Sequence, residues 1–339
     1  MRTRSIQEML NPSELQKERM LHSIQEKHER LHVPRRHMLR TALVCAAVCA
    51  AICTSAFAAV SFGLMDGLRN FLQPATPEQE ELLAQGAYVV DKSDRNPNGT
   101  LEVKQVIGDS NLVYLLLEFT APEGTILDLD GYRFSGSLDA GQQQTSGAGF
   151  IKIADDNEKD NKITLVMCTP TREPLAGSHA MLELYDLEGA NTEEEEYQTV
   201  LSGSWSVRFP LDFEDCSVTY PIAQTISAEG YDITLQSISV SPLSITLRAN
   251  SPYTREIIQS LDGKYAPYSD DSPRWFPVTI HYEDGSTETA SHGVHMGSTS
   301  EINHLTGNIL DIITFDSLIN DKEINFIEIC GTDIPLTQN

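Results

Sequence analysis

The sequence predicts a mainly β protein with two tandem β-sandwich domains, preceded by a cytoplasmic helix and one transmembrane helix. Residues 41–65 form an uncharged run between a basic head and an acidic body. From residue 87 onward the apolar residues recur with period 2 instead of 3.6, in short segments separated by turns rich in Gly, Pro, Asp and Asn. Hydrophobic residues make up 40% of the chain, which is enough for folded cores and excludes global disorder.

The chain is strongly acidic, and its charge is unevenly distributed. The 339 residues include 24 Lys and Arg and 49 Asp and Glu, a formal net charge of −25. Residues 1–40 hold nine basic and five acidic residues, so the remaining 15 basic and 44 acidic residues give the body a charge of −29. Because binding to phosphate backbones requires a basic face, we expect no direct nucleic-acid partner.

The sequence pattern of residues 1–36 predicts a cytoplasmic amphipathic helix with a basic flank. The helix begins after Asn11-Pro12, with Ser13 as N-cap and Gln16 at the third helical position, and Pro34 ends it. An apolar stripe along this helix indicates either a helix lying on the membrane surface or one that docks into the groove of a protein partner. The candidate partner-binding residues are Leu15, Met20, Leu21, Ile24 and Leu31.

The uncharged run predicts one transmembrane helix within residues 37–65. At about 1.5 Å per residue, a helix of this length can cross the roughly 30 Å hydrocarbon core of a bilayer. Basic residues precede the run, so the positive-inside rule places the N-terminus in the cytoplasm and the rest of the chain outside the plasma membrane. The topology-determining residues are Arg35, Arg36 and Arg40.

A cleaved leader is the alternative interpretation of the same run. Ala56-Phe57-Ala58 fits the A-x-A pattern of a signal-peptidase site, and cleavage after Ala58 would secrete the acidic body. Forty residues before the apolar run are far more than a leader needs, which favours an uncleaved anchor.

Residues 66–86 predict a juxtamembrane helical linker. Its apolar start, including Leu64, Leu68 and Phe71, is expected to lie at the membrane interface. A second short helix is expected to have Thr76 as N-cap and Pro77 at its first position, and to end at Gly86.

Residues 87–212 predict the first extracytoplasmic β domain. Leu101–Gln105 alternates, Gly108–Asn111 is a turn, and Leu112–Phe119 is a dense apolar strand. Strands at this spacing without long helices between them are typical of a sandwich. The further predicted strands are Ile151–Ile153, Ile163–Met167, Met181–Tyr185 and Trp205–Phe209.

A weak internal repeat supports a second β domain over residues 213–339. The segment from Gly99 resembles the segment from Gly230 at a constant offset of 131, with further matches such as Ser110 to Ser241 and Leu116 to Leu247. Chance similarity between two β-hairpins is the competing explanation. The predicted strands of this domain are Val278–Tyr282, Thr287–Ser291, Ile309–Phe315 and Ile324–Ile329.

No metal site or cofactor is predicted. His28 to His32 matches H-E-x-x-H, but the string lies in a short charged head with no third ligand, so a solvated helix face explains it better. The acidic loop 155–161 lacks the glycine and the terminal glutamate of an EF-hand, and Glu193–Glu196 is interpreted as a solvated loop tip. Four histidines lie close in sequence without a spacing that fixes a metal geometry, and we interpret them as surface residues: His281, His292, His295 and His304.

The cysteines do not form a disulfide framework, and no string specifies an enzyme. Cys45, Cys49 and Cys53 share one face of the predicted membrane helix, where small residues pack against other helices. Three more cysteines lie in the body, an odd number that cannot pair completely within one chain. Because the sequence contains no P-loop, G-x-G-x-x-G or G-x-S-x-G string, we predict that the protein is not an enzyme.

The layout resembles a family of bacterial single-pass membrane proteins. The resemblance rests on the basic head, the Ala-rich span ending in Ala56-Phe57-Ala58-Ala59, and two acidic β segments, Leu101–Phe119 and Ser204–Leu247. Members of this family carry an extracytoplasmic domain of unknown function, often followed by an immunoglobulin-like domain. They are frequently encoded beside extracytoplasmic-function sigma factors. The resemblance therefore implies two immunoglobulin-like ectodomains and an anti-sigma-like membrane regulator.

In that role the cytoplasmic helix would bind a sigma factor and the β domains would sense an unknown extracytoplasmic ligand. The chain departs from zinc-dependent anti-sigma factors, because a His followed by a C-x-x-C pair is absent. Any binding to a sigma factor would then be metal-free. The alternatives are a membrane-anchored adhesion module with an inert head and a secreted protein that begins at Ala59.

Overall fold

The computed structural model describes residues 64–141, 143–144, 148–154, 160–191, 196–261, 276–290, 298–315, 317–320 and 323–336. These residues all belong to one compact unit. The predicted cytoplasmic helix and all of the predicted span except its last two residues lie outside the described residues. Within the described ranges, no helix is long and apolar enough to cross a membrane.

Two antiparallel sheets made of the first nine strands form the N-terminal sheet pair. One sheet has the order β1-β2-β3-β7-β6 and the other has the order β5-β4-β8-β9. Buried side chains from both sheets form one hydrophobic cluster. The strands are β1 (Tyr88–Asn96), β2 (Gly99–Gly108), β3 (Leu112–Thr120), β4 (Gly131–Ala140), β5 (Gln143–Gln144), β6 (Gly149–Ile153), β7 (Lys162–Pro170), β8 (His179–Ala190) and β9 (Gln198–Pro210).

Nine further strands form the C-terminal sheet pair, which has its own hydrophobic cluster. Its sheets have the orders β10-β11-β12-β16-β15 and β14-β13-β17-β18. The strands are β10 (Val218–Ala228), β11 (Tyr231–Val240), β12 (Ile245–Asn250), β13 (Val278–Tyr282), β14 (Thr287–Thr289), β15 (Thr299–Ile302), β16 (Asn308–Ile313), β17 (Ile324–Ile329) and β18 (Thr332–Pro335).

The two sheet pairs share one topology. Adding nine to each strand number of the N-terminal pair reproduces both strand orders of the C-terminal pair. Between its third and fourth strands the C-terminal pair contains the helix Thr254–Leu261. The predicted boundary at residues 212 and 213 falls between β9 and β10. The chain therefore contains the same strand arrangement twice.

The strand register corrects the sequence repeat by one residue. In the N-terminal pair Gly108 faces Val113 across the β2–β3 turn, and in the C-terminal pair Val240 faces Ile245 across the β11–β12 turn, an offset of 132. The expected offset of 131 is therefore wrong. Side chains alternate between the two faces of a strand. An offset of 131 would therefore align core positions of one sheet pair with outward-facing positions of the other.

The mainly β prediction is confirmed, and the strongly apolar strands lie where they were expected. β13 and β17 have the predicted bounds, and the predicted strands in the first domain all fall inside observed strands. Sequence reasoning missed β1, most of whose side chains are exposed, and β4, which contains two glycines and several polar residues. β10, β15, β18 and the helix Thr254–Leu261 were also missed.

Two short helices cover the outer face of the β1-β2-β3-β7-β6 sheet. They are α1 (Asp66–Leu72) and α2 (Pro77–Gly86). The predicted cap of α2 is confirmed, because the hydroxyl oxygen of Thr76 accepts a hydrogen bond from the Gln79 N–H at 3.2 Å. Leu64, Leu68 and Phe71 are buried in a cluster with residues of the sheet. The expectation that they lie at the membrane interface is therefore wrong, since the apolar sheet face takes up the area that lipid would have covered.

Aromatic rings join the two sheets of the N-terminal pair. The Trp205 ring on β9 packs edge-on against Phe119 on β3, with ring centroids 5.1 Å apart, and against Phe134 on β4, at 5.7 Å. The indole N–H of Trp205 donates to the Gly99 carbonyl at 3.2 Å. Trp205 is only 1% exposed. Burial of its ring and satisfaction of its single donor make it the anchor of this core.

Replacing Trp205 by alanine is expected to destabilise the N-terminal sheet pair by about 3–5 kcal/mol, because it removes a large buried ring and leaves a cavity. Urea denaturation of the full chain in a non-ionic detergent, followed by circular dichroism, measures this loss. Tyr185→Ala on β8 is the matched control, since Tyr185 is 45% exposed and its truncation should cost far less. Equal effects of the two substitutions would contradict the assignment of Trp205 as the anchor.

Candidate functional site at the junction of the two sheet pairs

The β2–β3 turn is shaped by the side chain of Asp109. Its Oδ1 atom accepts hydrogen bonds from the backbone N–H groups of Asn111, at 2.9 Å, and Leu112, at 2.8 Å. The Asp109 N–H donates to the Leu112 carbonyl at 2.8 Å. This is the local bonding by which aspartate stabilises turns. It fixes the carboxylate at the tip of the hairpin with Oδ2 left to bind elsewhere.

The β11–β12 turn uses a serine in the equivalent position. The Ser241 Oγ accepts hydrogen bonds from the N–H groups of Leu243 and Ser244, both at 3.0 Å. The Ser241 N–H donates to the Ser244 carbonyl at 3.0 Å. The Ser241 hydroxyl lies 3.3 Å from the Ser244 carbonyl within its own turn, and it can also donate to a group outside the turn.

The two turns meet through the second carboxylate oxygen. Asp109 Oδ2 accepts from the hydroxyl of Ser241 at 2.5 Å and from the hydroxyl of Ser244 at 2.6 Å. Asp109, Ser241 and Ser244 are all almost completely buried, with at most 3% of each residue exposed. The carboxylate thus accepts two hydrogen bonds from each sheet pair, and we call this group of three side chains the junction cluster.

Burial controls the electrostatics of the junction cluster. Removal of the Asp109 carboxyl group from water raises its pKa, and the nearby Asp215 adds to this effect. Hydrogen bonds from Ser241, Ser244 and the backbone of Asn111 lower the pKa, but burial is the largest effect and the net change is upward. The four donors stabilise the carboxylate, but they do not fully offset the cost of removing its charge from water. Burial therefore shifts the Asp109 carboxyl group toward its protonated form.

Polar contacts surround the junction cluster. The Ser110 hydroxyl donates to Asp215 Oδ2 at 2.7 Å, which ties the β2–β3 turn to the segment between β9 and β10. The Arg172 Nε donates to Glu301 Oε2 at 2.6 Å, and the Arg248 Nη2 donates to the Arg172 carbonyl at 2.7 Å. Each of the two arginine contacts joins the N-terminal to the C-terminal sheet pair.

The helices α1 and α2 belong to the same junction. The Gln79 amide donates to the Leu318 carbonyl in the C-terminal pair at 3.2 Å, and the Met65 N–H donates to Gln105 Oε1 in the N-terminal pair at 2.8 Å. A buried cluster contains residues of the helices and of both sheet pairs: Leu64, Leu68, Phe71, Leu83, Ile107, Leu112, Tyr114, Leu116, Val166, Cys168, Leu243 and Leu318.

The interior of this junction is packed rather than hollow. The space between α2 and the two turns, lined by Leu83, Asp109 and Leu243, measures about 10 Å³. A volume of this size holds one water molecule. The junction cluster therefore acts as a joint between the sheet pairs, and any ligand would have to bind around it.

Two body cysteines have thiols shielded by burial. Burial raises the pKa of the Cys168 thiol well above its usual range, and burial together with nearby carboxylates raises the pKa of Cys330 to about 12. Both thiols are free. Since the thiolate is the reactive form, both have the character of packing residues. The Cys216 Sγ lies 3.8 Å from the Glu214 carbonyl oxygen.

The residues predicted to bind a partner or to set the topology lie outside the described residues: Leu15, Met20, Leu21, Ile24, Leu31, Arg35, Arg36 and Arg40. The same holds for His28, His32, His292, His295, Cys45, Cys49, Cys53, most of the acidic loop 155–161, and Glu193 to Glu195. Their predicted roles remain predictions.

Of the four histidines that lie close in sequence, His281 and His304 are described by the structure, and their surroundings differ. His281 Nε2 is 3.1 Å from Glu328 Oε2, and its ring stacks on Phe326 with centroids 4.2 Å apart. His304 is exposed in the β15–β16 turn. Over the part of the chain that the structure describes, no three His, Cys, Asp or Glu side chains come together in a way that would hold a metal ion.

Sequence reasoning identified the β2–β3 turn but not the role of Asp109. The string Gly-Asp-Ser-Asn marks a turn, and an aspartate that starts a turn is a local signal for side-chain bonding to the following N–H groups. Nothing in the local sequence indicates that its other oxygen binds two serines more than 130 residues away. Only the packing of the two turns reveals that contact.

Comparisons with known proteins do not assign the chain to a family. No family model matches the sequence, and the curated proteins include no significant match. Among solved structures, the chain is similar to a conserved domain protein from Bacillus anthracis, with 14% sequence identity and a TM-score of 0.48. That similarity covers 72% of this chain and 76% of the other.

Replacing Ser241 by alanine is expected to loosen the junction, because it leaves two backbone N–H groups without their acceptor and removes one donor from the buried carboxylate. The expected cost is about 1–3 kcal/mol. Hydrogen-exchange mass spectrometry should show faster exchange in both turns, residues 108–113 and 240–245. Ser227→Ala on β10 is the control, since Ser227 is exposed. Unchanged protection of the β2–β3 turn would contradict the coupling between the two turns.

The raised pKa of Asp109 predicts a pH dependence of stability. A carboxyl group whose pKa is higher in the folded than in the unfolded protein favours folding at low pH, and that contribution is lost as the pH rises through the folded value. The stability of the unchanged chain relative to Asp109→Asn should therefore increase as the pH falls from 7 to 4. Urea denaturation at several pH values measures the difference. A difference that shrinks toward pH 4 would contradict the raised pKa.

Proposed function

We propose that the protein is a single-pass, anti-sigma-like membrane regulator. Its cytoplasmic helix, through Leu21 and Ile24 among others, binds a sigma factor without a metal ion. Its β sheets lie outside the plasma membrane and bind an extracytoplasmic ligand. The resemblance in layout suggests this role, and the attachment of the body to the predicted span supports it.

The observation that carries the proposal is the close packing of the chain where it leaves the predicted span. Leu64, 5% exposed, and Leu68, fully buried, insert into the cluster beneath α1, and the Met65 N–H bonds to the buried Gln105 side chain. Leu64 and Met65 are the last two residues of the predicted span, so their packing in the body means that the proposed span ends before Leu64. The described chain is thus packed against the body from Leu64 onward, which favours a signalling role, since a protein that only displays an adhesive domain would not need this packing.

The position of the helices supports the transmission of a signal. α1 and α2 contact the N-terminal pair through the buried cluster and the C-terminal pair through Leu243 and Leu318. A change in the placement of either sheet pair alters the packing around α1, which follows the span directly. Coupling between distant sites requires a contiguous set of packed groups of this kind.

The proposal includes an immunoglobulin-like fold for each sheet pair. In the N-terminal pair, β2-β3-β7-β6 corresponds to the order A-B-E-D of such domains, and β5-β4-β8-β9 corresponds to C′-C-F-G, with β1 as an extra edge strand. The C-terminal pair has the same correspondence. Domains of this architecture serve many functions, so the fold supports a binding role without defining the ligand.

The sigma-factor role is tested by affinity purification of the full-length protein from detergent-solubilised native membranes, with mass spectrometry of the partners. A sigma factor should co-purify with the unchanged chain. It should be lost when Leu21 and Ile24 are both replaced by aspartate, because two charges in the apolar stripe prevent its burial against a partner.

The matched control is a chain with Gln16→Asp and Ser23→Asp, which adds the same two charges at positions that the helical pattern places beside the stripe. It should retain the sigma factor. Recovery of only envelope or wall components would instead support the adhesion module. Mass spectrometry of the same sample also identifies the N-terminus, and a chain that begins at Ala59 would support the secreted form.

A further inference from the structure

We infer that the junction carries an oxyanion-binding cleft formed by Arg172 of the N-terminal sheet pair and Arg248 of the C-terminal sheet pair. Its ligand would present a phosphate or carboxylate group. The inference goes beyond the proposed function, because the cleft requires neither the membrane anchor nor a sigma factor.

The cleft lies beside the junction cluster and has a volume of about 300 Å³. One wall is the segment that follows β7, with Arg172 and Glu173. The other wall is the sheet of β11, β12, β15 and β16, with Arg248, Glu301 and Asn308. A volume of this size is at the lower end of the range for small-molecule sites.

The first wall is held in place by the β2–β3 turn. The Asn111 amide donates to the Thr171 carbonyl at 2.8 Å and to the Arg172 carbonyl at 3.2 Å. Arg248 donates to the same Arg172 carbonyl. The backbone at Arg172 is therefore fixed by both sheet pairs, and binding an anion would require little reorganisation of this wall.

Both guanidinium groups keep donors for a ligand. Arg172 uses Nε for Glu301, and Arg248 uses Nη2 for the Arg172 carbonyl; the described part of the chain shows no further hydrogen bond from either group. Guanidinium groups offer donors in a planar fork that matches the oxygens of phosphate and carboxylate. Because both arginines line the same cleft, we propose that their remaining donors bind one oxyanion.

The cleft already holds a carboxylate that belongs to the chain. Glu301 accepts from Arg172 at 2.6 Å, while 43% of the Glu301 side chain and 73% of the Arg172 side chain remain exposed. An exposed ion pair of this type contributes little to stability. The Glu301 carboxylate therefore acts as a weak internal competitor that an external oxyanion can displace from the guanidinium group.

The charge of the surroundings makes the cleft distinctive. In the described residues that follow β9, Arg248 and Arg255 are the two basic residues present. The lining of the cleft also contains the carboxylates of Glu173 and Glu301, so an external anion would bind by taking the place of Glu301 beside the guanidinium groups. Because the two arginines come from different sheet pairs, a bound anion would also strengthen the junction.

The test is isothermal titration calorimetry of the full chain in a non-ionic detergent, with inorganic phosphate and citrate as probes at constant ionic strength. Binding of phosphate alone would indicate a phosphate ligand, and binding of citrate alone a carboxylate ligand. Arg248→Gln should weaken the binding by about tenfold, as expected for loss of a charged hydrogen bond. Arg255→Gln on the helix Thr254–Leu261, whose arginine lies outside the cleft, is the control and should bind as the unchanged chain does.

Glu301→Gln distinguishes a binding site from a purely structural ion pair. Removal of the competing carboxylate should tighten binding several-fold, whereas a structural pair would leave the affinity unchanged or weaker. Glu256→Gln, on the same helix as Arg255, is its control. If Arg248→Gln fails to fold, Arg248→Lys keeps the charge without the fork and should show a smaller loss. Absence of binding by both probes, or an affinity that Glu301→Gln does not raise, would overturn the inference.

Discussion

A buried carboxylate determines how the two sheet pairs meet. Asp109 is only 3% exposed, and a buried charge is tolerated only when hydrogen bonds replace its hydration. Two of its donors come from its own turn and are always available. The other two, Ser241 and Ser244, are available only when the β11–β12 turn sits against it. This requirement favours one relative placement of the two sheet pairs over the alternatives.

This placement explains why equivalent faces of the two sheet pairs differ in chemistry. At the structural offset of 132, Leu112, Tyr114 and Leu116 of β3 correspond to Ser244, which directly precedes β12, and to Thr246 and Arg248 of β12. The residues of β3 are apolar or aromatic because α1 and α2 cover that face. In the C-terminal pair Ser244 bonds to Asp109 and Arg248 lines the cleft, so these two positions are polar. One topology thus supports the helices in one copy and provides polar groups for the junction and the cleft in the other.

The proposed regulator and the oxyanion cleft depend on the same joint. The helices that follow the predicted span contact both sheet pairs, and the arginines of the cleft come from both sheet pairs. A ligand held between the two arginines would favour the placement that the junction cluster already specifies. Such a ligand would in this way stabilise the present packing around α1, because the helices contact both sheet pairs.

The sequence by itself determined the elements whose signals are local. Apolar runs such as Leu112–Phe119 can only be buried strands in this context, and Thr76-Pro77 begins α2 through bonds to the next few residues. Tertiary structure decided what depends on residues far apart in the chain. β1 is exposed and becomes a strand because β2 offers it a partner, and the repeat needed strand pairing to fix its offset. Asp109 looks like any turn aspartate until the other turn is in place, since its second oxygen finds its donors only through long-range packing.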